Sequence, residues 1–185
     1  NGLSKRVVTN KMAALWHKRE QQINGYISQT VGLLFKKVKE FDIDTIVVGY
    51  NTGWKQKPDM EKKNNQKFVQ IPFHKLIAAI ENKCVKEGIR FLKQEESYTS
   101  KASFLDKDPV PVWSKDGKTH YCFSGKRLTR GLYQSKAGTY IHADINGALN
   151  ILQKSKVVEC DDNLKVKTPI LLEVQKRKAV ASRIA

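Results

Sequence analysis

Two adjacent carboxylates, Glu95 and Glu96, stand in the stretch KQEESYTSKASFLDKD, and a third, Asp144, stands in HADINGALNIL. Carboxylate oxygens are the ligands that hard divalent cations take. Two such ions about 3.5 to 4 Å apart can activate water and stabilise the leaving oxygen in phosphodiester cleavage. If the three side chains converge they can bind Mg²⁺. Taken singly, Asp144 suits a helix cap, and Glu95 and Glu96 suit a solvated strand end. Asp106 and Asp108, in a Pro-flanked loop, read as solvated, and Asp42 and Asp44 as the passage from a helix to a strand.

The elements that position these groups follow from periodicity. Trp16, Ile23, Ile27, Leu34, Val38 and Phe41 recur at helical steps from about Lys11 to Phe41, with a weak point at Asn24 and Gly25. The β-branched run from Thr45 to Gly49 reads as a buried strand. A second helix runs from about Pro72, with Phe73, Leu76, Ile77, Ile80 and Cys84 on one face and Gly88 placed to end it. IRFLKQ is then a strand that delivers Glu95 and Glu96 at its carboxyl end. Strand, helix, strand is a unit of a parallel sheet, whose functional groups collect at strand ends. Because strand side chains alternate, only one of the two glutamates can face a given site. HADINGALNIL reads as a last helix with Asp144 at its start.

Charge narrows the partner. Thirty-four Lys and Arg against 18 Asp and Glu leave +16, a surplus that favours a polyanion: nucleic acid first, an acidic membrane surface second. No apolar run reaches the roughly 18 residues of a spanning helix, and a secretory signal is not evident, so the chain is expected to be soluble and intracellular. Cys84, Cys122 and Cys160 are widely spaced and form no paired ligand set. The chain opens at Asn1 in what reads as mid-domain sequence, and is expected to be a fragment or a processed piece.

ESYTSKASFLD and HADINGALNIL, with a long basic segment between them, resemble the C-terminal part of the RuvC-like nuclease domain of transposon-encoded TnpB proteins. Fanzor proteins and the type V CRISPR effector nucleases are related to that family. TIVVGYNTGWKQ and NNQKFVQIPFHKLIAAI fit one TnpB branch, so the resemblance covers about residues 1–155. It implies an α/β chain with the ribonuclease H-like (RuvC) fold. On this reading residues 1–100 are a partial nuclease core, 101–141 a basic insertion that binds target nucleic acid, 142–155 the closing helix, and 156–185 a basic tail.

The resemblance also implies three acidic residues that hold Mg²⁺ or Mn²⁺ and cut DNA under RNA guidance. The last of them maps onto Asp144. The second is usually a Glu at the end of the strand that here ends in Gly49. In some branches a Glu three residues before the Thr of the TS motif replaces it, and with Thr99 and Ser100 as that motif the position is Glu96, leaving Glu95 a bystander. The first Asp belongs to a strand expected upstream of Asn1, in another part of the same protein. Guide RNA and target DNA are the implied partners, with no membrane. The implied location is the cytoplasm and nucleoid of a bacterium or the nucleus of a eukaryote.

The family's zinc ribbon is reduced here, with Ser103 in the place of a leading Cys and Cys122 left from the second pair. A closed site needs four ligands, so zinc is not expected. In its place FSGKRLTRGLY brings Lys126, Arg127 and Arg130 together with Tyr133, a basic and aromatic mixture that suits a nucleic-acid backbone and its bases, the competing reading being a solvated hairpin with Tyr133 in the core. The loop after the first strand adds Trp54, Lys55, Lys57, Lys62 and Lys63 as candidate contacts. Two other functions fit the same residues: a nuclease-dead protein that binds DNA under RNA guidance, and a DNA transposase of the same fold.

Overall fold

The computed structural model describes residues 9–51, 72–113, 120–158, 169, 173 and 174. They form a mixed α/β structure with two small sheets and two compact units.

The first unit contains helix α1 (Asn10–Glu40) and the first three turns of α2 (Phe73–Glu87). Thr9 caps α1, its Oγ1 accepting the Met12 N–H at 3.3 Å. Val31, Phe35 and Val38 are the buried residues of α1, and Ile77 and Ile80 are buried on α2. Lys75 pairs with Glu20, and Lys83 Nζ lies 5.9 Å over the Phe35 ring. One expectation holds here and one fails. The helix runs unbroken through Asn24 and Gly25, because one helical glycine costs only about 1 kcal/mol against the packing of its flanks. Trp16 and Phe41, assigned to the packed stripe, are 56% and 58% exposed. Burial is concentrated in the second half of the helix, so periodicity alone overestimates the packed length.

Asp42, at φ 51°, takes the left-handed turn that ends α1, and the chain enters β1 (Thr45–Gly49). Gly88 ends α2 at φ 69°, a conformation that favours glycine, and the Ile89 N–H returns to the Cys84 carbonyl at 2.9 Å.

In the second unit β1 lies parallel to β2 (Arg90–Gln94), with Thr45 opposite Arg90 and Gly49 opposite Gln94. The Tyr50 N–H to Gln94 carbonyl bond, 2.8 Å, extends the pairing to the strand ends. Within and at the end of the segment read as a basic insertion, β3 (Lys126–Arg127), β4 (Leu132–Gln134) and β5 (Tyr140–His142) form an antiparallel sheet. Strands of two or three residues are too short to show alternation in sequence. Helix α3 (Ala143–Ser155) follows β5 directly and packs on both sheets, with Tyr133, Ile141 and Ala143 as a buried cluster joined by Ile145 and Leu149.

Candidate functional site

Gly49 ends β1 where the chain leaves the sheet, and a side chain there would have to displace its neighbours. A Cβ built there would lie 2.5 Å from Glu96 Oε2, 2.7 Å from Ile151 Cδ1 and 3.3 Å from Glu96 Cβ. The Glu96 carboxylate therefore fills the space that a side chain on residue 49 would enter. Glu96 stands two residues beyond Gln94, the partner of Gly49, so strand alternation carries it back over β1.

The turn after Glu96 is held from two directions. Thr99 donates both its N–H (3.2 Å) and its hydroxyl (2.8 Å) to the Glu96 carbonyl. The Thr99 carbonyl in turn accepts from Asn150 Nδ2 at 2.9 Å. The three-residue spacing between Glu96 and Thr99 is thus the spacing of a closed turn. Asn150 also reaches the Ala102 carbonyl at 2.8 Å. One turn earlier, Asn146 donates to Ala102 at 2.8 Å and accepts the Phe104 N–H at 3.0 Å. Both asparagines are fully buried. Their i, i+4 spacing in INGALN, polar residues on a packed face, is the sequence signal for this anchoring.

Glu95 faces elsewhere. Its Oε1 accepts the Ser97 N–H at 2.7 Å and its Oε2 pairs with Lys154. The Lys154 side chain is only 8% exposed and also donates to the carbonyls of Pro111 (2.9 Å) and Ser97 (3.3 Å). Burial opposes the charge on Glu95, but the bonds from Lys154 and Ser97 outweigh it and hold the carboxyl below its ordinary range.

Asp144 lies in the first turn of α3 but is not its cap. His142 takes that role, its Nδ1 accepting the Asp144 N–H at 3.2 Å. The Asp144 side chain is 77% exposed, with Oδ1 3.4 Å from the Arg127 guanidinium. Arg127 is itself tied to the β3–β4 turn through the carbonyls of Thr129 (3.2 Å) and Arg130. Ile151 follows Asp144 by seven positions, so the two stand on one face of α3, about 10 Å apart along its axis. Ala148, between them on that face, is small and exposed. Among the described residues no group of three or more His, Cys, Asp or Glu is gathered closely enough to hold a metal ion.

The loop after the Glu96 turn is built on carboxylates. Asp108 is 6% exposed, and its Oδ2 accepts the N–H groups of Ser103 (2.8 Å) and Ser124 (2.9 Å), joining the start of the insertion to the segment that leads into β3. Asp106 Oδ2 accepts from the Ser103 hydroxyl (2.5 Å) and from the Lys136 N–H (2.9 Å). The expectation that both aspartates are solvated is wrong, since each satisfies backbone donors that would otherwise lack partners. Burial works against ionisation of Asp108, and the bonds from Ser124 and Ser103 overcome it to lower its pKa.

A family model described as "Cas12f1-like, TNB domain" matches residues 73–151, from α2 through most of α3. TnpB-like protein ORF457 of Acidianus two-tailed virus is 31% identical over 137 residues, which is 74% of this chain and 25% of the relative. Together these two matches support membership of the TnpB family. It spans about a quarter of the length of the curated relative it matches.

Of the nucleic-acid contacts expected from the sequence, Trp54, Lys55, Lys57, Lys62 and Lys63 lie outside the described residues. Lys126 and Arg130 are exposed on β3 and in the turn after it. Arg127 is engaged with Asp144 and two carbonyls. Tyr133 corrects the expectation: it is fully buried, and its hydroxyl donates to the Lys101 carbonyl at 2.7 Å. It has no face on which a base could stack. Burial, with Asp108 and Asp106 nearby, pushes its pKa up to about 12. No helix among the described residues is long and apolar enough to cross a membrane.

Proposed function

We propose that this chain is the C-terminal part of an RNA-guided DNA endonuclease with a ribonuclease H-like (RuvC) fold, in which Glu96 and Asp144 supply two of the carboxylates of a divalent-metal site. The observation that carries the reading is the Glu96 carboxylate lying where a residue-49 side chain would be. The family's usual glutamate belongs at position 49, and here a carboxylate from the turn after the next strand reaches the same space. Likeness to the TnpB family supports a transposon-associated nuclease; RNA guidance and metal dependence are part of the proposal.

The donors fit Mg²⁺ or Mn²⁺, because carboxylate oxygens suit hard cations and Gly49 leaves the room that Glu96 takes. When bound, the metal would supply an activated water and charge stabilisation for the leaving oxygen. The chain's own residues do the positioning. Thr99 fixes the Glu96 turn, Asn150 fixes Thr99, and α3 carries Asp144 on the face that also bears Ile151. Arg127 lies against Asp144 and would yield that carboxylate to a divalent ion. The first aspartate is expected from sequence upstream of Asn1. Guide RNA and target DNA are the proposed partners, with Lys126 and Arg130 among the backbone contacts.

The test uses the full-length protein with its guide. Glu96→Ala and Asp144→Ala each abolish DNA cleavage while guide RNA binding is retained, and Glu95→Ala at matched folded concentration keeps the chemistry. Undiminished cleavage by Glu96→Ala would remove Glu96 from the site.

A further inference from the structure

Tyr98 has a backbone that its side chain does not favour. It lies at φ 64°, in the left-handed region where a bulky residue is an outlier, two residues after Glu96 and immediately before Thr99. The turn depends on that conformation, since the Tyr98 carbonyl accepts the N–H groups of Lys101 (2.9 Å) and Ala102 (3.0 Å) as the chain reverses. Local sequence does not relieve the strain, so packing must hold it. The packing is aromatic: the Tyr98 ring meets Tyr121 edge-on, centroids 5.1 Å apart at 63°, and lies 6.2 Å from Phe123 at 39°. Both partners come from the segment that leads into β3. Ser124, the next residue, is the one whose N–H is held by Asp108.

We propose that Tyr98 is a positioning residue for Glu96: its ring, seated against Tyr121 and Phe123, holds the left-handed turn that aims the Glu96 carboxylate at the space over Gly49. The inference rests on the reading of Glu96 as a metal ligand and adds a coupling to it. The insertion is linked to the candidate metal carboxylate through three rings, so a shift of residues 121–123 moves Glu96. An ordinary packing role for Tyr98 does not require its removal to alter divalent-ion affinity in a folded protein.

The experiment measures Mn²⁺ affinity of the full-length protein bound to its guide RNA, by electron paramagnetic resonance, with thermal stability followed in parallel. Tyr98→Phe keeps the ring and stays within about twofold of the parent. Tyr98→Gly removes the ring but suits the left-handed backbone. It retains more stability than Tyr98→Ala, and both lose Mn²⁺ affinity by about tenfold. The double variant Tyr121→Ala/Phe123→Ala loses a similar factor with Tyr98 intact. If Tyr98→Gly binds Mn²⁺ as the parent does while Glu96→Gln binds it weakly, the positioning role is overturned and the metal-ligand reading stands. If Glu96→Gln itself binds Mn²⁺ normally, the ligand reading fails and the positioning role falls with it.

Discussion

The Glu96 carboxylate and the α-carbon of Gly49 are complementary: Oε2 lies 2.5 Å from the place a Cβ on residue 49 would occupy. Neither residue can change without affecting the other. Gly49→Ala pushes the added methyl against the ends of the Glu96 and Ile151 side chains, which must swing aside, a small loss of stability because both are the far ends of flexible side chains. Urea denaturation reads that loss. Cleavage should fall by more than stability accounts for, because the displaced group is the proposed ligand.

Lys154 and Glu95 form a pair of a different kind. Lys154 is nearly buried and its three acceptors use all three donors of the ammonium group. Lys154→Met leaves Glu95 with a lost partner and two carbonyls unpaired, for an expected cost of about 2–3 kcal/mol, below the cost at a fully buried pair because Glu95 is 32% exposed. The chemical step in the folded fraction is expected to be unaffected. A denaturation curve and a single-turnover cleavage rate separate the two effects.

Asp108 gives stability a defined pH dependence. A carboxyl whose folded pKa is depressed contributes stability that is present above its ordinary value of 3.8 and is lost as pH falls through the lower folded value. Asp108→Asn weakens the acceptor for Ser103 and Ser124 and should cost about 1–3 kcal/mol at pH 7. Thermal melts of parent and variant should differ at pH 7 and converge below the ordinary carboxylate range. With Cys122 as the one cysteine left of the family's zinc ribbon, too few ligands remain for a closed site, and a zinc-selective chelator is expected to leave the parent's melting temperature unchanged.

The electrostatic contacts divide by exposure. Lys126→Ala and Arg130→Ala should each reduce the dependence of log K on log salt by about 0.9 on duplex DNA, or about 0.7 on a single strand, for one lost phosphate contact. Tyr133→Phe should leave that slope unchanged and cost about 1 kcal/mol through the lost bond to Lys101. Binding titrations at several salt concentrations distinguish them.

Much of the frame was legible in the sequence because its signals are local. The period of α1, the β-branched run of β1, Gly88 after α2 and the strand before Glu95 all correspond to observed elements. Alternation foretold that Glu95 and Glu96 would face different ways, and they do. The misses concern what side chains meet at a distance. Asp106 and Asp108 looked solvated because their backbone donors come from residues up to 30 positions away. Asp144 looked like the helix cap, but His142 offers an acceptor two residues earlier. Tyr133 read as well for a base-stacking surface as for a core, because neighbouring charge says nothing about which face of a short strand is buried.

The most direct test of the displaced carboxylate exchanges the two positions in the full-length protein with its guide and follows metal-dependent DNA cleavage. Glu96→Gly alone is expected to be inactive, and the double variant Gly49→Glu/Glu96→Gly is expected to recover at least a tenth of the parent rate, since removing Glu96 opens the space into which the new side chain projects. A double variant that folds, binds guide RNA and remains as inactive as Glu96→Gly would contradict the claim that Glu96 does from the turn after β2 what a glutamate at the end of β1 would do.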